Sequence, residues 1–290
     1  SRYYTLTTIS PLYLLSGIGM ILAGILPILY WRAKSKASFK LFLFGGLIWA
    51  AAIVVKTAMD LLLGGFLNTW LATLYPVFGL IVVWGLILGL RTGYLECGFT
   101  YIAASKKLRE AKFADAVAFG IGFGATEAVI LGLGSLFSVL TFVLNPNVLD
   151  MLPPDQKAVV LQSFSSFAII PAPIVERFFT LLVHLFTSLF IIYAILARRA
   201  EYFIASFAFK SFLDGLVPWM RSSFDLTNLQ HIYTLEGIVV AFGVIGLLGS
   251  LWIAGRFHRI REAKPGLTST YAIVIIVLAT VILFALTIPL

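Results

Sequence analysis

The sequence predicts an all-α fold, a polytopic transmembrane helical bundle of about eight spans, and three observations carry that prediction. Of the 290 residues, 60% are hydrophobic and only 12% are charged, with a mean hydropathy of +1.01. Several apolar runs reach or exceed the ~20 residues a helix needs to cross a bilayer. Most of the basic residues gather in the short segments between those runs. A water-soluble globule of this size needs far more polar side chains to cover it, and its apolar runs are shorter.

The spans fall at residues 9–31, 41–63, 70–103, 115–144, 171–197, 202–220, 234–255 and 269–290. The third and fourth are longer than a bilayer requires and are expected to tilt or protrude. The first apolar run is followed by WRAKSK rather than a small-residue cleavage site. A retained helix is therefore expected, not a signal peptide. Aromatic residues at span ends, such as Tyr30, Trp31 and Trp219, suit the membrane interface. The whole chain, 1–290, is expected to form one integral membrane domain, with a helical core at about 80–220 and flanking spans at 9–63 and 234–290.

The net charge of +8 would suit nucleic acid or anionic lipid, so the position of the basic residues decides between them. Arg32, Lys34, Lys36 and Lys40 follow span one, and Lys106, Lys107, Arg109 and Lys112 follow span three. Arg198 and Arg199 follow span five, while Arg256, Arg259, Arg261 and Lys264 follow span seven. Only Arg2, Lys157 and Arg221 occupy the opposite loops and terminus. The positive-inside rule places the first set in the cytoplasm of a cell-membrane protein and both termini outside. The partner this implies is the lipid bilayer, with membrane-protein subunits possible and no nucleic acid.

Ionisable groups at membrane depth are expensive, and they mark candidate functional sites. The stretch Pro171 to Tyr193 carries Glu176, Arg177 and His184, and other runs supply Glu96, Glu127, Lys210 and Asp214. Counting along the helices at 1.5 Å per residue puts Glu127, His184 and Asp214 roughly 18–20 Å from the cytoplasmic ends. Glu96 and Lys210 lie about 12 Å in on the same count and are expected to pair beneath them. Arg177 is the natural neutralising partner for a carboxylate nearer the outer side. Lys210 and Asp214 are spaced i and i+4, as are Lys56 and Asp60. The second pair reads most simply as self-neutralised near a helix end.

Other features are read more plainly. The single cysteine, Cys97, excludes an intrachain disulfide and a cysteine-built zinc site. The glycines of FGIGFGATEAVILGLG have a spacing that permits close helix packing, and no strand precedes them to make a nucleotide loop. The largest outer segment, NPNVLDMLPPDQKAVVLQSFSSFAII, is expected either to rest on the bundle or, through residues 158–170, to cover the polar cluster as a lid.

Four motifs together resemble the YhfC family of glutamic-type intramembrane proteases, relatives of the CAAX-prenyl endopeptidase and PrsW groups. They are ECGFTYIA from Glu96, DAVAFGIGFGATEA from Asp115, ERFFTLLVH from Glu176 and KSFLD from Lys210. The resemblance covers about residues 80–220 and implies a glutamate that activates water, with histidines and a carboxylate or amide holding the centre. Carried onto this sequence, it assigns Glu96, Glu127, His184 and Asp214 as the catalytic set if the chain is active. Against the family pattern, Cys97 replaces a glutamate, Thr100 an arginine, Phe123 a histidine and Lys210 a histidine.

Those replacements shape the functional expectation. With His231 and His258 in loops, the membrane interior offers one imidazole, and an ammonium at Lys210 repels a metal cation. The expectation is a catalytically degenerate, protease-like membrane protein that serves as a binding or structural component, possibly a subunit of a complex, with no metal and no cofactor. An active intramembrane endopeptidase with an altered site is the alternative, and a proton- or ion-conducting transporter a further one.

Overall fold

The computed structural model describes residues 9–260, 264 and 266–287. Arg2, Arg261 and the last three residues of the eighth expected span lie outside the described residues. Thirteen α-helices occur among the described residues, and no strand. Helices are what a bilayer permits, because each backbone N–H and C=O must find its partner within the segment.

Helix α1 (Leu14–Ser35) and α2 (Phe39–Met59) correspond to the first two spans. A π-helical turn, Asp60–Gly64, continues α2 into α3 (Gly65–Leu74). The chain then breaks at Tyr75 and Pro76 and enters α4 (Val77–Thr92), the π-helical turn Gly93–Cys97 and α5 (Gly98–Lys107). The expected third span began at residue 70, so the structure moves that boundary. Tyr75 is extended, with φ −123° and ψ 137°, as a residue before proline prefers to be. Residues 65–74 therefore belong to the second span.

The remaining elements are α6 (Phe113–Leu144), α7 (Val148–Met151), α8 (Pro154–Ser163), α9 (Pro171–Leu196), α10 (Glu201–Gly215), α11 (Val217–Ser223), α12 (Leu229–Phe257) and α13 (Ser269–Ala285). Six helical segments are long and apolar enough to cross a membrane, and α13 is a shorter apolar helix. With α10 and α11 as the short sixth segment, the bundle agrees with about eight spans. At 32 residues, α6 is roughly 48 Å long against a hydrocarbon core of about 30 Å. Its excess length has to tilt or protrude.

Helices α6 and α9 form the centre. Helix α6 packs against α1, α2 and α9, while α9 also packs against α10 and α12. The whole stretch Ala116–Ala125 of α6 is buried, as is most of α9 from Leu181 to Ala194. Glycines on α6 allow this approach from two sides. A Cβ added at Gly124 would lie 2.9 Å from Leu181 Cα, and one at Gly120 would lie 3.1 Å from Leu185 Cα. One added at Gly122 would collide with the backbone of Phe42 on α2.

By contrast, a Cβ at Gly134 of the same helix would meet nothing within 4 Å. Gly122→Leu is expected to push α2 off α6 and abolish a folded, monodisperse preparation. Gly134→Ala should be neutral or stabilising by up to about 1 kcal/mol, since alanine is the better helix former. Thermal unfolding of the two variants in one detergent checks the contrast.

The outer segment rests on the bundle away from the polar cluster. Tyr13, Val139 and Leu149 form a small core there with Phe164, Ile169 and Ile170 packed against it, and the Tyr13 hydroxyl donates to the Phe164 carbonyl at 2.6 Å. None of residues 145–170 lines the cavity that holds the cluster. Of the two arrangements considered for residues 158–170, the structure has the segment resting as a shelf on the bundle rather than covering the cluster, because its aromatic and aliphatic side chains pack by Tyr13, α1 and α6.

Candidate functional site

Seven elements bring ionisable residues to one cavity of about 830 Å³, α11 contributing Arg221. Helix α2 supplies Lys56, the π-helical turn after α4 supplies Glu96, and α6 supplies Glu127. Helix α9 supplies Glu176 and Arg177, α10 supplies Lys210 and Asp214, and α12 supplies Glu236. Its walls include Ile53, Val54, Ile130 and Leu131 and, from α11, Val217 and Met220. Since α11 and the start of α12 lie at the helix ends opposite the basic loops, the cavity occupies the half of the bundle away from those loops.

The charges fall into two linked groups. In the first, the Arg177 guanidinium forks, Nη1 donating to Glu127 Oε1 and Nη2 to Glu176 Oε1. The other Glu127 oxygen accepts from the Trp49 indole N–H at 3.0 Å and meets His184 Nε2 at 2.8 Å. Both oxygens of Glu127 are thus engaged. Arg177 is only 7% exposed, so its charge is balanced within the protein rather than by water.

In the second group, Lys56 donates to Glu96 Oε1, and Lys210 stands 3.5 Å from Glu96 Oε2 and 3.3 Å from Asp214 Oδ1. Asp214 Oδ2 is 3.9 Å from Lys56. Two ammonium groups therefore alternate with two carboxylates. His184 bridges the groups, with Nδ1 3.8 Å from Glu96 Oε2 and neither atom hydrogen-bonded to anything else.

Depth counting placed the cluster members well, with one correction. Glu127 and His184 meet, and Glu96 and Lys210 come within ion-pair range beneath them. Asp214 joins the lysines instead of His184. The Lys56–Asp60 pair is overturned. Lys56 turns to Glu96, while Asp60 pairs with Arg91 of α4. The π-helical turn beginning at Asp60 alters the i and i+4 register that the pairing assumed.

Cys97, Thr100, Phe123 and Lys210, the positions at which the resemblance implied a replacement, are all buried. The Phe123 ring lies 4.9 Å from the His184 ring, centroid to centroid, and so fills the space beside the imidazole. Thr100 is 2% exposed. Cys97 is equally buried, and its sulfur has Ser206 Oγ at 3.9 Å as polar neighbour. Among the described residues no base is within hydrogen-bond reach of that sulfur to activate it as a nucleophile.

Three residues at the site were not anticipated. Trp49 and Lys56 are donors to the two central glutamates, and Glu236 carries a buried Oε2 without a hydrogen-bond partner. The signal for Glu236 was present, because it interrupts an apolar run in the same way as Glu127 does. The π-helical turn that holds Glu96 was not readable, although such turns often occur where a helix presents a functional side chain.

Fold and site together define a multi-pass membrane protein whose interior holds a charged centre contacted by the bilayer-spanning helices. The chain belongs to the YhfC intramembrane metalloprotease family, whose family model matches residues 19–239. No match was found among curated proteins or among solved structures.

The family name implies a metal, and the donor set can be tested against one. Among the described residues no group of three or more His, Cys, Asp or Glu side chains is placed to hold a metal ion. Glu96, Glu127 and His184 do converge, but Lys56 and Lys210 flank Glu96 and Arg177 holds Glu127. A divalent ion there would face two ammonium groups and a guanidinium at the oxygens it needs. The residues do not fit a metal.

Proposed function

We propose that this chain is a non-catalytic member of its family, a membrane protein that binds a ligand or partner in the cavity where its relatives' chemistry would lie. The observation that carries this reading is the pairing of both central glutamates with fixed cations, Glu96 with Lys56 and Lys210, and Glu127 with Arg177. A water-activating base must be free to take a proton and to stand within hydrogen-bond reach of the water. Phe123 beside His184 removes the second imidazole that the family pattern supplies.

On this reading the chain is a single membrane-embedded domain with its basic loops in the cytoplasm and both termini outside, so that the cavity faces the outer leaflet. A role as a subunit of a larger assembly follows naturally for such a frame. The test is cleavage of a membrane-spanning reporter peptide by the purified protein, with and without added zinc. No cleavage beyond that of a Glu127→Gln variant is expected. Cleavage that Glu127→Gln and His184→Ala both abolish would overturn the reading.

One observation favours the alternative, an active endopeptidase with an altered site. His184 and Glu127 are hydrogen-bonded at 2.8 Å, and Glu127 lines the cavity. For that pair to act, Arg177 must first release Glu127, and the reporter assay reads that possibility directly.

A further inference from the structure

Among the described residues, one carboxyl group of the cavity has no cation of the protein within ion-pair reach. Five carboxylates line it, and four of them, Glu96, Glu127, Glu176 and Asp214, are within ion-pair reach of Lys56, Arg177 or Lys210. Glu236 is the fifth. It lies in electrostatic reach of Glu176 and Arg177, but Arg177 is already forked between Glu127 and Glu176. Arg221, the remaining cation on the wall, is exposed. A buried carboxylate oxygen without a donor is costly, so a donor arriving from outside the chain is favoured.

The shape of the cavity says what else that donor is attached to. Val54 of α2 and Ile130 and Leu131 of α6 line it and are themselves 65%, 48% and 44% exposed. On helices that cross a bilayer, this exposure faces acyl chains. The cavity wall is thus continuous with the lipid-facing surface, and an apolar tail can enter sideways while its head reaches the acidic end. Glu176 completes that end, since its side chain is 38% exposed and bonds Arg177 through Oε1 alone.

We propose that the cavity binds an amphiphile with a primary ammonium head on an apolar tail. The head sits between Glu236 and Glu176, and the tail lies along Val54, Ile130 and Leu131. An ammonium carries three donors, enough for Glu236 Oε2 and the free oxygen of Glu176 together. The proposal rests on the binding reading of this cavity and names the chemistry of its ligand. A free long-chain amine and the amino headgroup of a phospholipid share that chemistry.

The experiment uses the purified full chain in a neutral maltoside detergent, with intrinsic tryptophan fluorescence, to which Trp49 on the cavity wall contributes, among its readouts. Thermal stability is followed in parallel. Dodecylammonium and phosphatidylethanolamine are the two positive arms, and dodecanol and dodecyl phosphate are the neutral and anionic controls. A saturable response to one or both ammonium compounds, absent with the controls, is expected, and which arm responds assigns the source. Glu236→Gln should weaken that response by roughly ten- to a hundredfold, as loss of a charge-assisted hydrogen bond does.

Equal responses to dodecanol and dodecylammonium in the unaltered protein would overturn the site, a comparison that needs no variant to fold. An unchanged response in a folded Glu236→Gln protein would do the same. Neither result touches the non-catalytic reading. Glu127-dependent cleavage in the reporter assay would overturn that reading while leaving ammonium binding as measured.

Discussion

Arg177→Leu is expected to destabilise the protein by about 3–5 kcal/mol, the cost of removing one partner from a buried ionic group. The loss is large because Arg177 serves two carboxylates, and removing it leaves Glu127 and Glu176 together without a cation. An ordinary polar contact between membrane helices contributes only about 0.6 kcal/mol, so the size of the effect separates an ionic centre from such a contact. The double variant Arg177→Leu with Glu127→Gln should recover part of the loss, because the charge stranded at Glu127 is then gone. Reversible unfolding in mixed micelles measures both. A loss below about 1 kcal/mol for the single variant would mean that water or lipid headgroups reach Arg177 and balance it.

The second large effect is a gain of metal binding. Phe123→His places an imidazole where a ring now lies 4.9 Å from His184, and Lys210→His removes one of the two ammonium groups beside Glu96. Together the two changes introduce the histidines that the sequence resemblance implied at those positions and add two neutral ligands to Glu96, Glu127 and His184. The double variant is expected to bind about one zinc per chain, since a zinc site needs three or four converging nitrogen and oxygen ligands. Phe123→His alone should bind much less, because Lys210 still stands 3.5 Å from Glu96. Isothermal titration with zinc distinguishes the two. Equal binding by the single and double variants would show that Lys210 is not the obstacle.

How much of this was legible in the sequence depended on whether a residue's neighbours lay along one helix or across several. The membrane class and the helices followed from apolar run length, since runs of about 20 residues match a spanning helix and are too long for barrel strands. The meeting of Glu127 with His184 was also legible, because straight helices carry depth faithfully from their ends. What failed were the local irregularities. The π-helical turn at Asp60 parted it from Lys56, and the proline break at Tyr75 moved residues 70–74 from the third span to the second.

Rotation about a helix axis is the other thing that sequence does not give. Depth alone could not say that Lys56 faces Glu96 across the bundle, or that the shelf at residues 145–170 packs on Tyr13 rather than over the cavity. Both are decided by packing. The glycine run of α6 sets it, by letting α2 and α9 come close enough to place Trp49 and His184 on the same carboxylate.

Zinc binding by the unaltered chain tests the central claim most directly. The purified protein, stripped with chelator and re-equilibrated with zinc, is assayed for tightly held metal beside Glu96→Gln and Glu127→Gln. If cations of the protein itself occupy the centre, all three preparations hold the same background amount. Stoichiometric zinc in the unaltered chain, lost in both variants, would contradict the account and return the site to metal chemistry.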